Sequence, residues 1–293
     1  MAADDLRAPA EAAGERLDVW LARALDGVSR ARIASLIERA AVLVDGAAAS
    51  KGQRLRGGER ISIETVADPA RPEPPPEPRI ARENDDLLIV DKPAGLVVHP
   101  APGHRGVTLV ELLAGRARGE WQPLAVHRLD RDTSGLMVVA KRQEVLEELQ
   151  KRLRAREITR EYMALVEGRL GSRTGTIEAP LGRSPRNRTR MAVGAGGREA
   201  RTHFEVERFL EGFTLVRARL DTGRTHRIRA HFAAIGHPVA GDRAYGGARA
   251  LGLERQFLHS ARLEFAYSGE PAPLQEVSPL PPDLAGALGR VEG

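Results

Sequence analysis

Two carboxylates stand in one short string, Val126-His127-Arg128-Leu129-Asp130-Arg131-Asp132-Thr133-Ser134-Gly135, directly before the apolar run Leu136 to Ala140. An ionised carboxylate can attack an electrophilic carbon or accept a proton, so this string could present chemistry at a strand end. The apolar run bounded by turn residues reads as a strand buried on both faces. Asp132 to Gly135 reads as the turn before it, since Asp, Thr and Ser bond their own backbone and Gly tolerates positive φ. If His127 to Asp132 is extended, Asp130 and Asp132 share a face, and position alone does not say which one acts. The turn gives Asp132 a local role and leaves Asp130 without one.

A carboxylate kept ionised in a covered pocket needs a guanidinium within hydrogen-bonding reach. Leu220-Asp221-Thr222-Gly223-Arg224-Thr225-His226-Arg227-Ile228-Arg229 offers Arg224, Arg227 and Arg229. On residue types alone it equally fits the start of a helix with an exposed basic face. Arg160-Glu161-Tyr162-Met163-Ala164-Leu165-Val166 places one aromatic ring in a strand, where it could serve the core or a ligand. Arg183, Arg186, Arg188, Arg190, Arg198 and Arg201 crowd a Gly-, Ser- and Pro-containing region with little opposing charge, a composition suited to following a nucleic-acid backbone. His226 and His231 lie off the i,i+4 helical register with no carboxylate following closely, so no metal site is expected. Gly194 to Gly197 lacks the strand-to-helix context of a phosphate loop, and no nucleotide cofactor is expected.

Positioning these groups requires a scaffold, and 293 residues suffice for one large domain and a small one. The formal net charge is only +5, yet a pI near 10.0 fits a phosphate-bearing partner if the positive charge is clustered. The absence of cysteine excludes disulfides and thiolate metal sites. No apolar stretch approaches the roughly 18 residues of a membrane span, and the N-terminus lacks a secretory layout, so a soluble cytoplasmic protein is expected.

Residues 1–14 are Ala-, Asp- and Glu-rich and read as a disordered tail. Leu17, Val19, Trp20 and Leu21, then Ile33, Leu36 and Ile37, fall on two short amphipathic helices, with Ser29 as a candidate N-cap. Val42 to Gly46 reads as a strand entering a tight turn, and Glu59 to Glu64 as an alternating strand. Arg30, Arg32 and Arg54 contribute to the positive charge of this small α+β unit, residues 15–66. Residues 67–79, rich in proline, read as an extended linker rising roughly 3 Å per residue. The remainder, 80–293, is strand-rich, with strands expected at Leu87–Val90, Leu136–Ala140, Tyr162–Val166, Phe204–Phe209 and Phe213–Leu220. Gln143 to Glu157 carries the stripe Val145, Leu146, Leu149 and Leu153 of an amphipathic helix.

His127-Arg128-Leu129-Asp130 followed by Thr133-Ser134-Gly135-Leu136 resembles the signature of the RluA/RluD family of pseudouridine synthases acting on large-subunit ribosomal RNA. The strings at Arg160–Val166, Leu220–Arg229, Val90–Pro100, Gly241–Gly246 and Leu258–Leu263 resemble further motifs of that family, in its order. The resemblance implies an α+β catalytic domain with a mixed, mainly antiparallel sheet, Asp130 as the catalytic carboxylate, Arg229 as its charge partner and Tyr162 as the ring on the target uracil. It also implies substrate contacts from His127, Arg128, Arg224, His226 and Arg227, while the clustering of positive charge points to RNA-binding roles for Arg30, Arg32, Arg54, Arg186, Arg188 and Arg190. Arg227 stands where the family commonly has Gln, and Ser260 where it commonly has Ala. Residues 16–46 resemble the small RNA-binding domain named after the fourth small-subunit ribosomal protein. The expectation is a monomeric isomerase of uridines in large-subunit ribosomal RNA, needing neither metal nor cofactor. The alternatives are a related enzyme of transfer RNA, a base-releasing glycosidase, and an RNA-binding or ribosome-assembly factor without turnover.

Overall fold

The computed structural model describes residues 4–25, 30–38, 40–63, 77–101, 104, 106–184, 187, 190–194, 196–220, 225–248 and 251–292, with backbone alone for Asp4, Asp5, Arg30, Ala31, Arg32 and Ser35. The expected linker at 67–79 lies outside them except for Glu77, Pro78 and Arg79, and so do Ser29, Arg186, Arg188 and Arg224. The chain divides into two compact units, Met1–Glu73 and Pro74–Gly293.

The first unit contains β1 (Asp4–Arg7), a 3-10 turn (Ala10–Ala12), α1 (Leu17–Ala24), α2 (Arg30–Glu38), β2 (Val42–Val44), β3 (Ala47–Ala48) and β4 (Arg60–Ile63). Its antiparallel sheet runs β1-β4-β2-β3. Leu17, Trp20, Leu21, Ile33, Leu36 and Ile37 bury against Val42, Val44, Ile61 and Ile63, the periodicities visible in the sequence. Asp45 and Gly46, both at positive φ, turn the chain from β2 into β3.

The disordered tail expected at residues 1–14 is corrected for its described part, residues 4–14. Residues 4–7 pair in register with Arg60–Ile63, and Ala8 and Ala12 are buried in the same core. An edge strand is held by backbone bonds, which need no apolar side chains, and a small methyl fills a tight core site that a bulky residue would overfill.

The second unit contains β5 (Arg79–Glu83), β6 (Leu87–Lys92), α3 (Leu109–Ala117), β7 (Leu124–Ala125), β8 (Ser134–Ala140), α4 (Gln143–Ala155), β9 (Ile158–Glu167), β10 (Thr174–Glu178), β11 (Leu181–Arg183), β12 (Met191–Val193), β13 (Arg201–Leu210), β14 (Phe213–Leu220), α5 (Arg227–Ala234), β15 (Leu258–Phe265), β16 (Leu274–Val277) and α6 (Pro282–Gly289). The main sheet runs β10-β13-β14-β9-β15-β8-β6-β5, with β16 on β15 and β7 on β8, while β11 and β12 form a separate pair. Within that sheet β15 and β8 run parallel and the other pairs antiparallel, so the mixed, mainly antiparallel α+β expectation holds.

The sheet centre is covered on both sides, which explains the uninterrupted apolar runs. Leu87, Ile89, Leu136 and Val138 face the core under α4, with Val145 and Leu149. Leu88, Val90, Met137 and Val139 face the larger core shared with α3, α5 and α6. Gly135 makes the parallel junction possible: its φ is +109°, and a Cβ there would overlap the backbone of Ser260 on β15. No helix among the described residues is long and apolar enough to cross a membrane.

Candidate active site

The loop before β8 is pinned from several sides. The Thr133 N–H donates to the Asp130 carbonyl at 3.1 Å and the Gly95 N–H to the Arg131 carbonyl at 2.9 Å. Arg255 Nη1 donates to the Asp132 carbonyl at 3.0 Å. Lys92, fully buried at the end of β6, donates to the carbonyls of Pro93, Leu96 and Arg131 at 2.8, 2.9 and 2.9 Å. Three acceptors match the three N–H bonds of an ammonium. Burial pushes the Lys92 pKa down to about 7, against the pull of Asp132 and Asp130.

Held this way, the two carboxylates of the loop part company. Asp132 pairs with its exposed neighbour Arg131, Nε to Oδ1 at 2.9 Å and Nη2 to Oδ2 at 3.0 Å. Asp130 turns inward, and its Oδ2 accepts from Arg229 Nη1 at 3.2 Å. The turn conformation thus removes the shared face that an extended strand would have given them.

Arg229 lies in the first turn of α5 and is itself oriented by a second carboxylate. Asp242 accepts from Nε at 2.5 Å and Nη2 at 2.9 Å, leaving Nη1 directed at Asp130. Burial alone would lower the pKa of this guanidinium, but Asp242 and Asp130 together raise it. Asp242 is held in a tight loop in which a Cβ on Gly247 would overlap the Val239 carbonyl oxygen. The Tyr245 ring from this loop stands 5.0 Å from the Arg229 guanidinium. His226, in the left-handed region at the N-cap of α5, brings Nε2 to 3.8 Å from Asp130 Oδ2 and Nδ1 to 3.0 Å from the Tyr245 hydroxyl.

Asp130, Tyr162, His226, Arg227 and Arg128 line one cleft, together with Arg160, Thr133, Leu220 and Leu258. Tyr162 comes from β9, and burial raises its hydroxyl pKa. Arg227 is almost fully buried and donates from Nη1 to the Arg201 carbonyl at 2.8 Å. Arg128 is exposed at the mouth.

His127 is not among the lining residues. It is buried, and its Nε2 accepts the Val138 N–H of β8 at 3.2 Å. Burial, then Arg160, pushes its pKa down to about 3, which keeps the imidazole a neutral acceptor. Its expected contact with substrate is therefore corrected: the ring ties the loop to the strand. Arg54 is exposed on the first unit and donates to the Gly14 carbonyl at 2.5 Å, and Arg190 is exposed just before β12.

The arrangement offers a shielded anion, held by a guanidinium that cannot lose its proton, at the side of an aromatic cleft. It can present a nucleophile or a base to a flat ring extracted from a nucleic acid. Asp242 and Tyr245 were not assigned roles from residue types; the string Gly241-Asp242-x-x-Tyr245-Gly246 was the available signal.

Comparison with known proteins gives concordant findings. The profile of the family described as RNA pseudouridylate synthase matches residues 86–234, and that described as the S4 domain matches residues 15–61. The chain is similar to the ribosomal large subunit pseudouridine synthase D of Nitrosomonas europaea, 43% identical, covering 97% of this chain and 86% of that protein. The protein of the same name from Xanthomonas campestris is 40% identical, covering 94% of this chain and 88% of its own length. Among solved structures, human RNA pseudouridylate synthase domain containing 1 superposes with a TM-score of 0.59 at 28% identity, over 72% of this chain and 87% of that one.

Proposed function

This chain belongs to the RNA pseudouridylate synthase family, and from that premise we propose that it isomerises uridines of large-subunit ribosomal RNA with Asp130 as the reacting carboxylate. The activity is that of an RNA pseudouridine synthase, an isomerase. The bond from the sugar C1′ to N1 of uracil breaks, the base rotates, C1′ bonds to C5, and the C5 proton leaves while N1 gains one. The reaction is redox-neutral and confined to one nucleotide, so it asks for a carboxylate, an aromatic support and protection from water.

The observation that carries the assignment is the Arg229 fork, engaged by Asp242 on one edge and by Asp130 at 3.2 Å from Nη1, beside a cleft lined by Tyr162. Tyr162 replaces the stacking neighbours that a flipped uracil loses. Arg128 and Arg224 supply positive charge for the adjoining phosphates, Arg227 lends its charge to the cleft from a buried position, and Arg30, Arg32, Arg54, Arg186, Arg188 and Arg190 add to the positive charge available to the RNA. The names of the bacterial relatives support ribosomal rather than transfer RNA as substrate, and a cytoplasmic place of work follows from that substrate. Asp130, Arg229, Asp242 and Tyr162 all come from one chain, which supports action as a monomer. In this reading the small domain expected at 15–66 begins with β1 at Asp4, and the larger one expected at 80–293 begins with β5 at Arg79, about the linker expected at 67–79.

The test is tritium release from C5-labelled uridine in transcribed large-subunit ribosomal RNA. Asp130→Asn should lower the rate by at least about 10³-fold, with RNA affinity within about twofold. Isomerisation at the wild-type rate by that variant would falsify the assignment, and release of free uracil would identify a glycosidase instead.

A further inference from the structure

We infer that Tyr245 is a positioning residue: its hydroxyl fixes the tautomer of His226 beside Asp130 and ties that imidazole to the β11–β12 hairpin, so that the hairpin's placement is felt at the reacting carboxylate. The inference rests on the assignment of Asp130 above.

The Tyr245 hydroxyl meets groups from two different elements. The Met191 N–H, at the start of β12, donates to it at 2.8 Å. His226 Nδ1 lies 3.0 Å from it on the other side. With one lone pair taken by Met191, the phenolic proton is available to Nδ1, and the imidazole then carries its hydrogen on Nε2. Nε2 is the nitrogen that faces Asp130 Oδ2 at 3.8 Å, one short movement from a hydrogen bond. The opposite tautomer would set a lone pair against a carboxylate.

Burial lowers the pKa of this imidazole; Asp130 and Asp242 favour its protonation, Arg229 and Arg128 oppose it, and the Tyr245 hydroxyl faces Nδ1. The Tyr245 ring meets His226 edge-on, with centroids 5.7 Å apart, and packs on Arg229, so ring and hydroxyl do separable work. The hairpin end of the link is basic. A groove of about 800 Å³ lies against β11 and β12, lined by Arg183, Arg198 and Thr225, and Thr225 also lines the Asp130 cleft. Phosphates of the nucleotides flanking the target uridine fit that groove by charge. Their engagement would set the hairpin, and through Met191 and Tyr245 the imidazole.

The experiment compares full-length wild type, Tyr245→Phe, His226→Ala and the double variant under single turnover on transcribed large-subunit ribosomal RNA, with RNA affinity measured separately. Tyr245→Phe keeps the ring and should slow the saturating rate about tenfold while leaving Kd within about twofold. Because the hydroxyl favours the neutral imidazole, its loss should move the acid limb of the pH–rate profile to higher pH. The double variant should be no slower than His226→Ala, since Tyr245 acts through that ring.

A wild-type rate and profile for Tyr245→Phe would overturn the inference, and so would losses that multiply in the double variant, as a general structural defect would give. Asp130→Asn, run in parallel, separates the two readings. If it is inactive while Tyr245→Phe behaves as wild type, the Tyr245 link alone fails; if Asp130→Asn turns over normally, the assignment of the carboxylate fails first.

Discussion

One guanidinium can serve two carboxylates only if each takes a different edge, and the Arg229 fork is divided that way between Asp242 and Asp130. Asp242 is nearly inaccessible to water, so its interaction with Arg229 is little screened. Replacing it by Asn removes the charge that balances a buried cation. Asp242→Asn should therefore lose about 3–5 kcal/mol of unfolding free energy in urea titrations, and the surviving enzyme should turn over about 10²-fold more slowly as Nη1 drifts from Asp130. Full stability in that variant would show that Asp130 alone holds Arg229. Residue types offered Asp130 beside Asp132 and Arg229 beside Arg224 and Arg227, and the family resemblance singled out Asp130 and Arg229; a geometric choice between the two carboxylates was not legible there. It depends on a pinned turn that sends one side chain to Arg131 and the other into the cleft.

Elements were legible where apolar residues either run unbroken, as in β6 and β8, or recur with a helical period, as in α4. The expected strands at Leu87–Val90, Leu136–Ala140, Tyr162–Val166, Phe204–Phe209 and Phe213–Leu220 all lie within observed ones, and the helix begins at Gln143 as expected. It stops at Ala155 because Arg156 adopts φ +66°. Helix α3 has no counterpart among the elements expected from the sequence, although Thr108 and Glu111 form a capping box at its start. The strand β1 could not be read at all, since its pairing with β4 is made by backbone groups that every residue carries. The tightest junction is between β8 and β15, where Gly135 approaches the Ser260 backbone and the Ser260 hydroxyl donates to the Leu136 carbonyl at 2.9 Å. Gly135→Ala combines a positive φ with overlap against backbone, and should cost at least about 2–3 kcal/mol by thermal or chemical unfolding. A neutral outcome would mean that the two strands separate readily, and Asp130 would then be poorly fixed.

At the scale of the whole molecule, a modest net charge conceals clustered arginines on a chain whose partner is polyanionic. Replacing Arg186, Arg188 and Arg190 together by Gln should weaken RNA binding and reduce the slope of log K against log salt by about 2, near 0.7 per lost phosphate contact on a single strand. An unchanged slope would remove that segment from the RNA path. Residue types and short-range periodicity were enough for the strand-rich α+β architecture and for a set of candidate carboxylates, rings and guanidinium groups, while the class of chemistry and the choice among those candidates came from the resemblance of ordered motifs to a known family. That His127 braces β8, that Asp242 orients Arg229 and that Tyr245 joins His226 to β12 emerges from the packing of the folded chain. Asp130 and Arg229 stand 99 residues apart in the chain. Hydrogen bonds of a few ångströms between such distant segments depend on how sheet and helix pack, which no local pattern encodes.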